Sequence, residues 1–358
     1  MDLDVDFLRQ LCLCPAPSGF EVAVQDLLRE RLQGLARPEG DPLGNLWASV
    51  GPAEGPTVAA VAHADQIGLI VTHVEDEGYL RCDAIGWVDA ALLPGHTVVV
   101  HTARGPVHGV VGRPPTHSIP EAERGKAAPI KEQFIDIGAA SRDEALARVA
   151  IGDPVTFDQD FVELAAGRYA CLAFDDRAGV YAVVRALERY AADPGRARLT
   201  VVSSTHEETT FMGARALAYR LQPDCMIVVD GDFASDYPGV DPSKLSGAVK
   251  VGGGPVIGRG STTNAVLTEL ALEVAAAEAI PVQTKAYAGQ MLTDAEELSA
   301  AGTTATLALS IPMRYMHSSA EVLAGADVEA TAALIAALTK RIGEVFTPGM
   351  FVPTHAGR

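Results

Sequence analysis

From residue 175 onward, short apolar runs alternate with stretches of helical periodicity, and this alternation restricts the possible folds more than any other feature of the chain. Helix signals over 177–191, 212–221, 264–279, 294–301 and 327–345 are interleaved with strand signals over 199–204, 225–230, 281–287 and 304–311. Such a pattern predicts an α/β fold, with a sheet covered by helices. Residues 1–36 are helix-periodic on either side of Pro15-Ala16-Pro17-Ser18-Gly19, where Ser18 or Gly19 is expected to cap the second helix. Strand signals follow near 45–50 and 57–72. Over 66–168 the texture changes to short β-rich runs separated by Gly and Pro, with one helical stretch near 141–149. This segment reads as an inserted β-rich unit.

With 358 residues and 48% hydrophobic content, the chain can bury a sizeable core. A net charge of −18 without a cluster of Lys or Arg opposes binding to nucleic acid or to an anionic membrane. Five cysteines without a CxxC pair read as buried free thiols. The acidic start Met1-Asp2-Leu3-Asp4 lacks the features of a signal peptide, and no apolar run reaches membrane-spanning length. A cytoplasmic, reducing location is therefore expected.

Polar groups suited to metal ligation stand at the ends of the apolar runs. The pair Glu207-Glu208 follows the run over 198–202, His63 follows 58–62, and Asp230 follows 225–229. His317 comes shortly after the run over 303–311, and Asp175-Asp176 opens a helix. In an open α/β sheet, ligands gather at the carboxyl ends of the strands, so groups 254 positions apart can converge. Taken singly, His63 reads as readily as a hydrogen-bonded core histidine, and Asp230 as a turn residue. Taken jointly, several carboxylates and imidazoles at strand ends, in a chain with 21% charged residues, point to divalent metal. A mixed carboxylate and imidazole set suits two ions about 3.5–4 Å apart, which polarise a carbonyl and lower the pKa of a water between them. Neighbouring side chains on an extended segment point to opposite sides, so one of Glu207 and Glu208 can bind metal while the other serves as general base. Asp65, two residues after His63, has the spacing to orient that imidazole, or to be a solvated turn carboxylate. His73, His96, His101, His108 and His117 read as surface or packing residues.

These motifs resemble those of the tetrahedral aminopeptidases, cytosolic dinuclear metallo-aminopeptidases with glutamyl, leucyl, lysyl and deblocking members. His63-Ala64-Asp65-Gln66-Ile67-Gly68 is similar to the family's His-x-Asp-Glu-Ile-Gly, and Asp175-Asp176-Arg177-Ala178-Gly179 to its Asp-Asp/Asn-Arg-x-Gly. Glu207-Glu208 with Gly213-Ala214 resembles Glu-Glu-x-x-x-x-Gly-Ala, and Arg314-Tyr315-Met316-His317-Ser318 resembles Arg-Tyr-x-His-Ser. Further matches at 134–138, 152–155 and 293–295 extend the similarity over nearly the whole chain.

The resemblance implies a three-layer α/β catalytic domain with a mixed sheet over 1–65 and 169–358, and a barrel-like insertion over 66–168. It implies two divalent ions, zinc with cobalt or manganese as alternatives. His63 and Asp230 would hold one ion, Glu208 and His317 the other, with Asp175 bridging and Glu207 as general base. It also implies a cis peptide between the two aspartates, Asp175 rather than Asp176 as the bridge, and dimers assembled into a hollow dodecamer that admits peptides. The expected activity is removal of N-terminal residues from short unfolded peptides, with neutral or cationic peptides favoured by the chain's negative field. Alternatives are a deacylase or carboxypeptidase with the same centre, and a silent assembly protein, which would need a missing ligand. Endoglucanase activity calls for an acid and a carboxylate flanking a sugar rather than five metal ligands. Two departures stand out: Gln66 in place of Glu, and His206 with Thr209-Thr210 around the Glu pair.

Overall fold

The computed structural model describes residues 2–158, 160–245, 247–300 and 304–353. The chain begins with α1 (Val5–Leu13) and α2 (Val22–Leu32), followed by β1 (Glu39–Gly40), β2 (Leu46–Val50) and β3 (Thr57–His63). Next come β4 (Gly68–Val74), β5 (Leu80–Ile85), β6 (Thr97–Thr102), β7 (Gly105–Gly112), β8 (Phe134–Asp136), α3 (Arg142–Leu146) and β9 (Pro154–Phe157). Then β10 (Val162–Leu164) and β11 (Arg168–Cys171) lead into α4 (Phe174–Ala192), β12 (Arg198–Ser204), α5 (Met212–Arg220) and β13 (Cys225–Phe233). The chain continues through β14 (Val256–Gly260), α6 (Ala265–Ala277), β15 (Gln283–Tyr287), α7 (Asp294–Ala300), β16 (Ala305–Met313), β17 (Glu321–Ala324) and α8 (Gly325–Val345).

The principal sheet has the order β1-β2-β12-β3-β13-β16-β14-β15. Its centre, β12-β3-β13-β16, is parallel, while β2 joins β12 and β14 joins β16 antiparallel, so the sheet is mixed. Central strands buried on both faces need apolar residues at every position. In β3, Val58, Ala60 and Ala62 pack into the core that holds α4 and α8, whereas Ala59 and Val61 face α5 and α7 on the other side. These three layers carry four parallel strands whose carboxyl ends lie side by side.

Strands β4-β5-β8-β7-β6-β9 close into a six-stranded barrel with its own core, including Leu69, Leu80, Val98, Val100, Val111 and Ile135. The barrel begins five residues after His63, and β11 returns the chain to α4. A small third sheet, β10-β11-β17, lies at that return.

Some local expectations are corrected. The second helix is capped at Glu21, without a side-chain cap bond, because the Ser18 hydroxyl pairs with Thr209 Oγ1 at 2.8 Å instead. The strand signal over 57–72 splits at 64–67, where the chain leaves the principal sheet for the barrel. Strands β14 and β17 gave no separate sequence signal. Ala301 and Thr303, at the edges of an expected helix and an apolar run, lie outside the described residues. Among the described residues all five cysteines are free, and no helix is long and apolar enough to cross a membrane.

Candidate metal centre

His63 is the last residue of β3, Asp230 lies on the neighbouring β13, and Asp175 is the second residue of α4. Glu207 and Glu208 occupy the turn between β12 and α5, and His317 follows β16. The fold brings all six together. His63 Nε2 is 3.2 Å from Asp175 Oδ1 and 4.0 Å from Asp230 Oδ1. His317 Nε2 is 3.2 Å from Asp175 Oδ2 and 3.6 Å from Glu208 Oε2. Two groups of ligand atoms result, each lying within 4.8 Å: His63, Asp175 and Asp230, and Asp175, Glu208 and His317. Asp175 belongs to both and offers one oxygen to each imidazole. Asp176 belongs to neither; its Oδ1 accepts the Gly179 N–H at 3.0 Å. The peptide bond joining the two aspartates is cis.

The Glu pair is held from below by Asp65, which is fully buried. Its Oδ1 accepts the Glu207 N–H and its Oδ2 the Glu208 N–H, each at 3.0 Å. The same carboxylate stands 3.6 Å from His63 Nδ1, which also lies 3.2 Å from the Asp65 carbonyl. One residue thus serves both: its backbone carbonyl lies against the His63 ring, and its side chain holds the turn bearing both glutamates. Glu207 is outside both ligand groups, with Oε2 3.9 Å from His63 Nε2.

Burial pushes Glu207 and Asp230 well above the usual carboxylate range, and burial together with the Asp175 charge raises Glu208 to about 8. Burial opposes protonation of His317, but its hydrogen bond and charge interaction with Asp175 outweigh that and raise it to about 9. Within ion-pair distance, the carboxylates of Asp175, Glu207, Glu208 and Asp230 meet only imidazoles among the described residues. Ionised together, four buried carboxylates shared between two histidines leave negative charge uncompensated, which is very costly without a cation. Carboxylate oxygen and imidazole nitrogen are the donors that divalent zinc, cobalt and manganese accept. The residues present therefore fit divalent metal.

Asn45 and Glu321 escaped the sequence reading because a lone polar residue in a strand or loop carries no pattern, and Asp294 was seen there only within a motif match, without a role. Asn45 accepts the Thr205 N–H at 3.1 Å and donates to the Gly213 carbonyl at 3.1 Å, tying the turn that carries Glu207 and Glu208 to the start of α5. Asp294 accepts a 2.5 Å hydrogen bond from Ser204. Glu321 accepts backbone N–H groups from Asp175 and His317. The two departures also have structural partners. Gln66 Oε1 accepts the Ala16 N–H at 3.3 Å and Nη2 of the buried Arg177 at 3.1 Å, roles open to a neutral amide. His206, at φ 62°, donates its N–H to Glu21 at 3.1 Å. His96 is nearer the site than expected, with Nε2 3.3 Å from Ser319 Oγ.

The sequence pattern of M42 glutamyl aminopeptidases matches residues 44–334. The chain belongs to this family. It is a metal-dependent aminopeptidase, a hydrolase of peptide bonds. Among its relatives, the lysyl aminopeptidase of Pyrococcus furiosus is 33% identical over 97% of this chain and all of the relative. A TET aminopeptidase from Thaumarchaeota archaeon SCGC AB-539-E09 superposes with TM-score 0.89 at 30% identity, covering 94% of this chain and 96% of the other. The Pyrococcus horikoshii TET1 peptidase, which can assemble into a tetrahedron or a large octahedral shell, gives TM-score 0.85 at 30% identity, covering 94% and 98%.

Proposed function

We propose that this M42 aminopeptidase removes residues stepwise from the N-terminus of short, unfolded peptides at a centre of two divalent ions. The observation carrying this reading is the carboxylate of Asp175 shared by two ligand groups, with Glu207 beside them but in neither. His63, Asp175 and Asp230 would hold one ion, and Asp175, Glu208 and His317 the other; zinc is the proposed metal, with cobalt and manganese as alternatives. When bound, the ions supply electrophilic polarisation of the scissile carbonyl and acidify water.

The protein's own groups supply the rest. Glu207 is the general base: it takes a proton from the attacking water and delivers it to the leaving amine. Burial suits it to that task by keeping its affinity for protons high. Asp65 acts through others, orienting His63 and both glutamates. The carboxylate-rich wall also offers a place for the substrate's terminal ammonium. We assign the barrel-containing insertion, 66–168, to assembly and substrate access. The proposed assembly is a homo-oligomer built from dimers, a tetrahedral dodecamer, in a reducing cytoplasm.

Glu207→Gln tests the assignment. It removes a base but no ligand, so kcat should fall by at least about 10², with two ions retained per chain by elemental analysis. Loss of an ion would transfer a ligand role to Glu207. Mass spectrometry of a peptide ladder should show stepwise loss from the N-terminus. Loss from the C-terminus, or release of an acyl group alone, would favour the carboxypeptidase or deacylase reading.

A further inference from the structure

Glu321 opens β17 and is 1% exposed. Its partner in the antiparallel ladder is Cys171, the last residue of β11, four residues before Asp175. His317 lies four residues before Glu321 in the other direction. The carboxylate therefore enters between two ligand-bearing segments distant in sequence. Oε2 accepts the Asp175 N–H at 3.1 Å, and Oε1 accepts the His317 N–H at 3.0 Å. Among the described residues Glu321 forms no ion pair within 4.0 Å. A buried carboxylate is costly to keep, and this one is spanned by the backbones of two candidate ligands.

The two segments need that support. His317 sits at φ 60°, a left-handed conformation unfavourable for a non-glycine residue. Asp175 interrupts the first turn of α4 with φ −82° and ψ 105°, so its N–H is outside the helical ladder. We infer that Glu321 is a positioning residue that fixes Asp175 and His317 relative to one another, and thereby sets the affinity of the Asp175–Glu208–His317 group for its ion. The other group shares Asp175 but not His317, and its remaining members are held without Glu321: His63 lies against Asp65, and Asp230 is carried within β13. The effect of losing Glu321 is thus asymmetric. This inference rests on the two-ion reading above.

The experiment is calorimetric titration of metal-stripped, full-length protein with zinc. His317→Ala and His63→Ala assign the two binding steps of the wild type to their groups. In Glu321→Gln one amide oxygen replaces two carboxylate oxygens, and an NH2 group faces one of the backbone N–H donors. The step lost in His317→Ala should weaken by about 10-fold to 100-fold, the range for groups that orient metal ligands. The step lost in His63→Ala should change much less, and the metal-free circular dichroism spectrum should be unaltered. Visible absorption of the cobalt-loaded variant should change in the same half of the titration. Two wild-type steps with neither weakened in Glu321→Gln, or both weakened alike, would overturn the inference while leaving the two-ion reading intact. Fewer than two wild-type steps would overturn that reading and this inference with it. Should Glu321→Gln not fold, Glu321→Asp keeps the charge on an arm too short to span both donors; the same selective weakening is expected, and its absence is equally decisive.

Discussion

Substituting Asp65 with Asn leaves the shape of the side chain almost unchanged while removing half of what it does. The carboxylate accepts two buried N–H groups at 3.0 Å, one on each of its oxygens. An amide keeps one acceptor and sets an NH2 group against the other N–H. One buried donor is then orphaned, at about 1–3 kcal/mol; Asp65→Ala orphans both, at about 2–6 kcal/mol, before any cavity is counted. Measured against a typical stability of about 5–15 kcal/mol, even the smaller loss is readily visible. Urea unfolding of metal-stripped protein, followed by circular dichroism, should show it as a lower midpoint. The same substitution loosens the turn carrying Glu207 and Glu208, so zinc affinity should fall by about 10-fold to 100-fold. An Asp65→Asn protein with unchanged urea midpoint and unchanged zinc isotherm would refute the claim that this carboxylate organises the site.

In the metal-free protein the folded-state pKa values of His317, about 9, and Glu208, about 8, lie above their ordinary values of 6.5 and 4.5. Raised values mean the folded state binds protons more tightly, so these contributions are complete at low pH and lost as pH rises. The thermal midpoint of stripped protein should therefore fall between about pH 6 and 9, and saturating zinc should flatten that slope; a midpoint rising over this window would contradict the electrostatic account. Gly213→Ala would place a Cβ 2.1 Å from the Thr205 carbonyl oxygen and 2.7 Å from Asn45 Oδ1. Overpacking of this kind costs about 1–3 kcal/mol, and displacement of the adjoining Glu207 turn should lower kcat, measured together with the thermal midpoint. Light scattering at micromolar concentration should give a mass above that of a dimer; a 37.4 kDa monomer would refute the proposed assembly.

The architecture was legible where the sequence repeats a physical pattern. Runs such as 58–62 and 225–229 are apolar at every position because both faces of β3 and β13 are covered, and the groups closing those runs mark the carboxyl edge of the sheet. Local geometry was less legible. The cap of α2 went to Glu21 because Ser18 is engaged by Thr209, a partner 191 positions away. Glu321 and Asn45 act through backbone groups of segments far along the chain, and neither contact leaves a trace in local spacing. Gln66 stood out in the sequence only as a departure from the motif; the partner that accounts for it, the buried Arg177, is 111 positions away.

The strand order places β12 and β13 on either side of β3, with β16 beyond β13, so neighbours in the sheet come from distant stretches of the chain. No fragment ending before residue 317 contains the whole proposed ligand set, and no half-assembled sheet brings it together. An ion recognising that set binds the finished fold alone. At free metal about a thousandfold above its dissociation constant, such binding shifts the folding equilibrium by about 4 kcal/mol. Metal supply would then govern how long each molecule survives as well as how fast it works. A cell short of the metal would then hold this enzyme in a form easier to unfold and degrade, as well as idle.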